Sequence, residues 1–374
     1  ALPIWFATIG RGAIVERFLD ALAQSGAAEF VAAYSRDGAS ACEFARAHGA
    51  SLWFGDLDAL AASPEVDAVY VASPNALHVP QALRLVRSGK HVLVEKALGS
   101  NEREARLLLT CAREKDVVAL EAMRNIHGPG FAAVEGMLAD VGEPRLARLC
   151  FSKVTSRISR LRACERVNVF DPHLSEGSLM DIGVYCVEPA VALFGAPRTV
   201  SAVGVTAAVG GVAPTDRFAT IDLAGQVTLG YEGKVVGLSF GKVSNGLLDC
   251  EVQGERGTLA FGETCRIDHL SFTPHVDRGM VFTETAGTMA APRSLDIAEN
   301  DMIYELEVFV AAVRGDASAL ARVAWAQEVT LSSLAVMDEA RRQMGVRFPA
   351  DDEAYPRWGH TCSRHRRSSG CSHR

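Results

Sequence analysis

Gly10-Arg11-Gly12-Ala13-Ile14 stands where an apolar run, residues 4–9, gives way to helical spacing over residues 13–24. A first glycine there permits a tight turn. A second lets backbone N–H groups approach a pyrophosphate, and the following helix presents the positive end of its dipole. The third glycine of the full dinucleotide fingerprint is absent, because Val15 occupies its place. Alone, a G-x-G is weak evidence, since turns use glycine for backbone reasons. Between a first strand and a first helix it reads as a dinucleotide loop. The second strand-like run, 30–34, ends in Tyr34-Ser35-Arg36. NAD sites place a carboxylate here for the ribose 2′-hydroxyl. A hydroxyl followed by a guanidinium suits a 2′-phosphate instead, through paired charge-assisted bonds. The expectation is NADP(H), with NAD(H) as the alternative. Asp37 would reach the ribose if the strand ran one or two residues further, and Arg36 could simply be a solvated loop residue.

The elements that position these residues alternate. Strand-like runs at 30–34, 67–72, 91–94 and 117–120 are separated by helical patterns at 39–48, 76–88 and 102–115. Apolar strands alternating with amphipathic helices predict a parallel sheet covered on both faces, over residues 1–121. From residue 122 the pattern changes. Residues 143–154 read as a strand, 157–166 as a basic exposed loop, and 179–194 as a helix. Short β runs between 198 and 284 predict a mostly antiparallel sheet. Two helices, 299–314 and 323–344, are expected to close this second, α+β domain, assigned to 122–350 as the substrate-binding and oligomerisation unit. The fold class expected is α/β: an N-terminal Rossmann domain plus a C-terminal α+β domain with a large antiparallel sheet.

Three further motifs stand in order: Ser73-Pro74-Asn75-Ala76-Leu77-His78, then Gly89 through Glu95-Lys96, then Gly177 through Asp181 to Tyr185. Together they resemble the glucose–fructose oxidoreductase / inositol dehydrogenase / MocA family (Gfo/Idh/MocA), across roughly residues 4–345. Tyr185, where many members carry His, resembles the dimeric dihydrodiol (D-xylose) dehydrogenase branch. The resemblance implies hydride transfer between a nicotinamide and a hydroxyl or carbonyl carbon of a sugar, polyol or related diol. It implies Lys96, Asp181 and Tyr185 as the catalytic residues, and Ser73, Pro74, Asn75, His78, Glu95 and Lys96 as further residues around the cofactor. It also implies a homodimer or higher homo-oligomer through the open face of the second sheet.

The chemistry is sensible for those residue types. A phenol near pKa 10 is a poor base at neutrality, and a nearby ammonium is expected to lower that value. Asp181 and Tyr185, four apart, would share a helix face. Arg124, His127 and the arginines of 157–162 are candidates to meet substrate, although a solvated loop is an equal reading. Two departures from the family pattern stand out. Ala97 follows Lys96 where the family has Pro, so this peptide is expected to be trans. Glu176 replaces a glycine, putting a carboxylate at the pocket mouth. These leave open a second reading, a catalytically weak or inactive NADP(H)-binding sensor or partner protein.

Composition sets limits. The chain has 374 residues, 48% hydrophobic and 22% charged, and a formal net charge of −7. That profile suits two ordinary globular domains and argues against a nucleic-acid partner, which needs a basic face. No apolar run looks long enough for a membrane span, and the first ten residues lack a signal-peptide pattern. Nine scattered cysteines suit a reduced, cytoplasmic protein. Residues 351–374 are polar and aperiodic, and are expected to be a disordered tail. His360, Cys362, His365, Cys371 and His373 in it fit no standard zinc spacing, so no metal is assigned.

Overall fold

The computed structural model describes residues 3–275 and 290–352. The tail beyond Asp352, with its histidines and cysteines, lies outside the described residues.

Six parallel strands form the first sheet: β1 (Ile4–Ile9), β2 (Ala28–Tyr34), β3 (Leu52–Phe54), β4 (Ala68–Val71), β5 (His91–Glu95) and β6 (Ala119–Ala122), in the order β3-β2-β1-β4-β5-β6. Alternation along β1 sends side chains into two cores. Phe6 packs with Phe18 and Tyr70 on one face, while Ala7 and Ile9 pack with Val69, Val71 and Val94 on the other. Helices α1 (Ala13–Ser25) and α2 (Gly38–Ala47) cover the first face. Helices α3 (Leu57–Ala62), α4 (Asn75–Arg87) and α5 (Glu102–Lys115) cover the second. The short elements β3 and α3 carry too few residues to show a period, and the sequence reading passed over them.

A short α6 (Arg124–His127) and α7 (Pro129–Val141) lead into the second sheet. Its strands are β7 (Pro144–Ser152), β8 (Thr199–Ala208), β9 (Thr220–Gly230), β10 (Val235–Gly241), β11 (Cys250–Gly254), β12 (Gly257–Phe261), β13 (His269–Pro274) and β14 (Arg293–Ser294). Their order is β14-β13-β12-β11-β7-β10-β9-β8. Only β7 and β10 pair in parallel. The inner face packs against α7 and α9 (Val184–Phe194). The outer face leaves Leu146, Val203, Val205 and Val235 exposed. The basic stretch expected as a loop contains one turn of helix, α8 (Ile158–Arg162), with no buried residue.

One expectation needs correction. Helices α10 (Met302–Val313) and α11 (Ala317–Met344) do not simply close the second domain. Met302, Leu306, Phe309, Val323 and Ala326 pack against Phe6, Phe18, Tyr70, Leu93 and Leu120. The physical reason is coverage. Helices α1 and α2 shield the β1–β2 side, so the same face of β4, β5 and β6 needs apolar cover from elsewhere. The C-terminal half of α11 then runs on to β8 and α9. Pro172–Phe194 is long and apolar enough on average to cross a bilayer, but Glu176, Asp181 and Glu188 interrupt it and 78% of its most apolar window is buried inside the fold. It is a core segment, carrying Glu176 and Asp181 at its polar edge.

Candidate active site

The C-terminal ends of the parallel strands meet the helical segment before β8, and the glycine loop, Ser35, Arg36, Lys96, Asp181 and Tyr185 lie along that seam. A cleft of about 510 Å³ opens at the ends of β1, β2 and β4. Gly10, Arg11, Gly12, Ser35, Arg36, Ser73 and Pro74 line it. Gly10 has φ +112°, and a Cβ there would lie 2.6 Å from the Ala72 carbonyl oxygen, so only glycine fits. At Gly12 a Cβ would meet nothing within 4 Å, because the residue faces the open cleft at the head of α1. Ala13 and Ile14 begin that helix, whose first N–H groups have no intrahelical acceptor. Val15, in place of the third glycine, is fully buried against the sheet.

Asp37 is settled by its contacts. Strand β2 ends at Tyr34, and the Asp37 carboxylate caps α2, accepting from the Ala39 N–H at 3.1 Å and the Ser40 hydroxyl at 2.5 Å. It is committed to the helix. Ser35 and Arg36 are left at the strand end beside the cleft.

Lys96 follows β5, and its ammonium donates to Asp181 Oδ1 at 2.6 Å and to the Asp181 carbonyl oxygen at 3.0 Å. The same ammonium lies 5.2 Å from the Tyr185 ring centroid, and the Arg124 guanidinium 5.5 Å from it. Asp181 sits in a π-helical turn, Leu179–Gly183, that runs into α9. Asp222 anchors this turn by accepting the Leu179 N–H at 2.6 Å. Single π turns of this kind recur at functional sites. The widened turn alters the simple one-turn spacing expected, yet both side chains still reach Lys96. The second Asp181 oxygen, Oδ2, pairs with Lys242 just beyond β10. Nothing in the local sequence around Lys242 signals this role.

Charges in the cluster follow from burial and partners. Burial opposes the Lys96 ammonium, but the Asp181 carboxylate, with Tyr185 and Glu95, outweighs it and raises its pKa. Burial pushes Asp181 up, and the two lysines pull it well below the usual carboxylate range. Tyr185 corrects the expectation drawn from sequence. Lys96 and Arg124 do act to lower its pKa, but burial is larger and the phenol ends above its ordinary value. Glu176 is half-buried. Burial, then Asp181, raises its carboxyl to about 7 against the opposing pull of Lys242 and Lys96.

Several predicted cofactor contacts turn inward instead. His78 is fully buried, with Nδ1 2.9 Å from the Ala97 carbonyl oxygen and Nε2 2.6 Å from that of Ser73. Burial pushes its imidazole down to about 4. It is wedged between two loops from behind, and as a neutral ring it donates its one N–H to one of the two carbonyls. Asn75 donates from Nδ2 to the Ser175 carbonyl oxygen at 3.0 Å, joining the two halves. Glu95 accepts the Tyr70 hydroxyl inside the sheet. The Lys96–Ala97 peptide, expected trans, is cis. In this conformation Ala97 is buried with its carbonyl facing His78, and the next N–H, of Leu98, donates to Glu121 at 2.7 Å, so buried backbone groups on both sides are satisfied. His127 is half-buried and lines no part of the cleft, while the arginines of α8 stand in solvent. Among the described residues no group of His, Cys, Asp and Glu is arranged to hold a metal ion.

Residues 4–122 match the family described as "Oxidoreductase family, NAD-binding Rossmann fold", and residues 139–260 match the GFO/IDH/MocA C-terminal domain. The chain is 37% identical to the scyllo-inositol 2-dehydrogenase (NADP(+)) IolU of Bacillus subtilis (strain 168), over 93% of this chain and 99% of the relative. The chain belongs to the Gfo/Idh/MocA oxidoreductase family. A trans-1,2-dihydrobenzene-1,2-diol dehydrogenase of Danio rerio is 27% identical over 87% of this chain and 91% of its own length. Among solved structures, a 3-ketoreductase from Actinomadura kijaniata in complex with NADP and TDP-benzene superposes with a TM-score of 0.72 at 26% identity. That match covers 93% of this chain and 99% of the ketoreductase. Membership accounts for the two-sheet architecture and for the seam between the sheets.

Proposed function

We propose that this family member is an NADP(H)-dependent oxidoreductase acting on a hydroxyl or carbonyl carbon of a sugar, polyol or related diol. The observation that carries the reading is the meeting of Lys96, from the nucleotide-binding sheet, with Asp181 and Tyr185, from the second, at the end of the dinucleotide cleft. The cleft fits the cofactor by its own geometry: Gly10 admits no side chain, Gly12 faces open space, and the α1 N-terminus points its free N–H groups there. Ser35 and Arg36 would hold the 2′-phosphate, with Asp37 already engaged in its cap. The IolU relative and the ketoreductase neighbour, both named with NADP, support the same choice.

The bound dinucleotide would supply or accept the hydride. The protein's own part is proton handling and charge. Because burial keeps Tyr185 a phenol, it is ready to donate its proton to the oxygen of a carbonyl under reduction; in the reverse direction it accepts that proton. Lys96, fixed by Asp181, places positive charge beside the phenol, where an alkoxide would develop.

The test is a fluorescence titration of NADPH against NADH, followed by a sugar and polyol panel with the tighter cofactor. NADPH should bind at least about tenfold more tightly, as loss of one charged phosphate contact implies. Binding of neither dinucleotide would end the reading. We also propose that the protein works in the cytoplasm as a homodimer through the outer face bearing Val203 and Val205. Light scattering should show a dimer, and a Val203→Lys, Val205→Lys variant should shift to monomer.

A further inference from the structure

We propose that Lys242 is a positioning residue of the reactive site, one that makes the Lys96–Asp181–Lys242 group net cationic where the substrate oxygen gains charge. This rests on the oxidoreductase reading. Lys242 is buried; its ammonium pairs with Asp181 Oδ2, donates to the Val169 carbonyl oxygen at 3.4 Å, lies 5.2 Å from the Phe170 ring, and acts on the carboxyls of Glu176 and Asp222. A buried ammonium is costly unless paired, so its placement needs a reason. The arithmetic of charge supplies one. Asp181 gives one oxygen to each lysine. One carboxylate with one ammonium is neutral and offers little to an alkoxide. Among these three groups a second ammonium leaves one positive charge over; it adds to the Arg124 guanidinium beside Tyr185 and offsets Glu176 when that carboxyl is ionised, in a partly desolvated setting where such fields act strongly. Lys242 also stops Asp181 from turning both oxygens on Lys96, leaving Lys96 a donor free toward the substrate side.

Lys242→Met, Lys242→Arg, Asp181→Asn and the Lys242→Met/Asp181→Asn double variant test this. Lys242→Met should lower kcat by about 10²-fold, with KM and NADPH affinity changed by less than about threefold. Lys242→Arg, which keeps the charge, should retain at least about a tenth of wild-type kcat. In the Asp181→Asn background the Lys242→Met change should add less than about threefold, because the two act as one unit. A readout without turnover separates this proposal from the activity itself. Formate, a small carboxylate standing in for the anionic oxygen, is titrated into the NADP⁺ complex by thermal shift at constant ionic strength. Wild type should bind formate at least about tenfold more tightly than Lys242→Met. Should wild type turn over no sugar or polyol yet show this formate difference, the substrate reading fails and the cationic site stands. The proposal is overturned if Lys242→Met matches wild type in kcat and formate binding. It is equally overturned if Lys242→Arg is as damaged as Lys242→Met, which would make Lys242 a packing element of the Val169–Phe170 segment.

Discussion

The dinucleotide cleft and the reactive cluster lie along one seam but are built by opposite means. The cleft is made of backbone: a glycine with positive φ, a helix N-terminus and strand ends open to solvent. The cluster is made of side chains, the half-buried charges of Lys96 and Asp181 with the buried Lys242 ammonium and Tyr185 phenol, brought in by β5, a π turn, α9 and the end of β10. Backbone donors need no partner to keep them in place, so a cleft of this kind can stay open and ready. Buried charges hold position only while each has its counterpart. The cleft should therefore tolerate side-chain changes that spare the Gly10 turn and the Ser35–Arg36 phosphate contact, whereas in the cluster the loss of any one partner should be felt by the rest.

The sharpest way to break that contrast is at the cluster. Lys96→Met should cost at least about 10³-fold in kcat/KM, and Tyr185→Phe about 10²–10⁴-fold. NADPH titration of both variants should still give near wild-type affinity. Equal losses in binding and rate would show that the two regions are one. At the cleft, Gly10→Ala drives a methyl into the Ala72 carbonyl at a φ of +112°. It should lower stability by about 1–3 kcal/mol by thermal melting and abolish tight dinucleotide binding. Arg36→Ala should weaken NADPH by about 10–100-fold and leave NADH unchanged, as expected for one charge-assisted contact to phosphate.

The smallest effect concerns Glu176, which faces Asp181, Lys242, Lys96 and the Asn75 N–H. Its carboxyl is raised from 4.5 to about 7, so the folded state binds a proton that the unfolded chain has already released. This contribution to stability is complete below pH 4.5 and disappears as pH climbs through 7. Glu176→Gln, which mimics the protonated form, should gain on wild type across that window and level off above it. Partial exposure of the group limits the gain to about 1–2 kcal/mol. A melting-temperature difference that is flat from pH 4 to 8 would remove Glu176 from the charge balance of the cluster.

The same contrast explains what could be read in advance. Gly10, Gly12, Ser35 and Arg36 act through contiguous chain, so turn chemistry and strand periodicity exposed them. Lys96, Asp181 and Tyr185 lie far apart in sequence and were reached only through motif resemblance. Lys242 follows one β run among many, and only the parallel pairing of β10 with β7 and the π turn bring it to Asp181. His78 and Glu95 carry reactive groups in the right motifs, yet side-chain direction, which spacing does not specify, turns both inward. The phenol's upward shift came from burial, a quantity set by the packing of both halves.

Helices α10 and α11 lay Phe309, Val323 and Ala326 over the sheet that begins the chain. On the ribosome, the strands for the nucleotide cradle emerge before these helices, so the apolar side of β4, β5 and β6 waits bare until α10 and α11 have been made. The amino-terminal sheet expressed without α10 and α11 is therefore expected to melt lower than the same sheet in the longer chain, because one apolar side loses its cover. The capacity to hold a dinucleotide is in this way tied to helices encoded after the last strand of the second sheet.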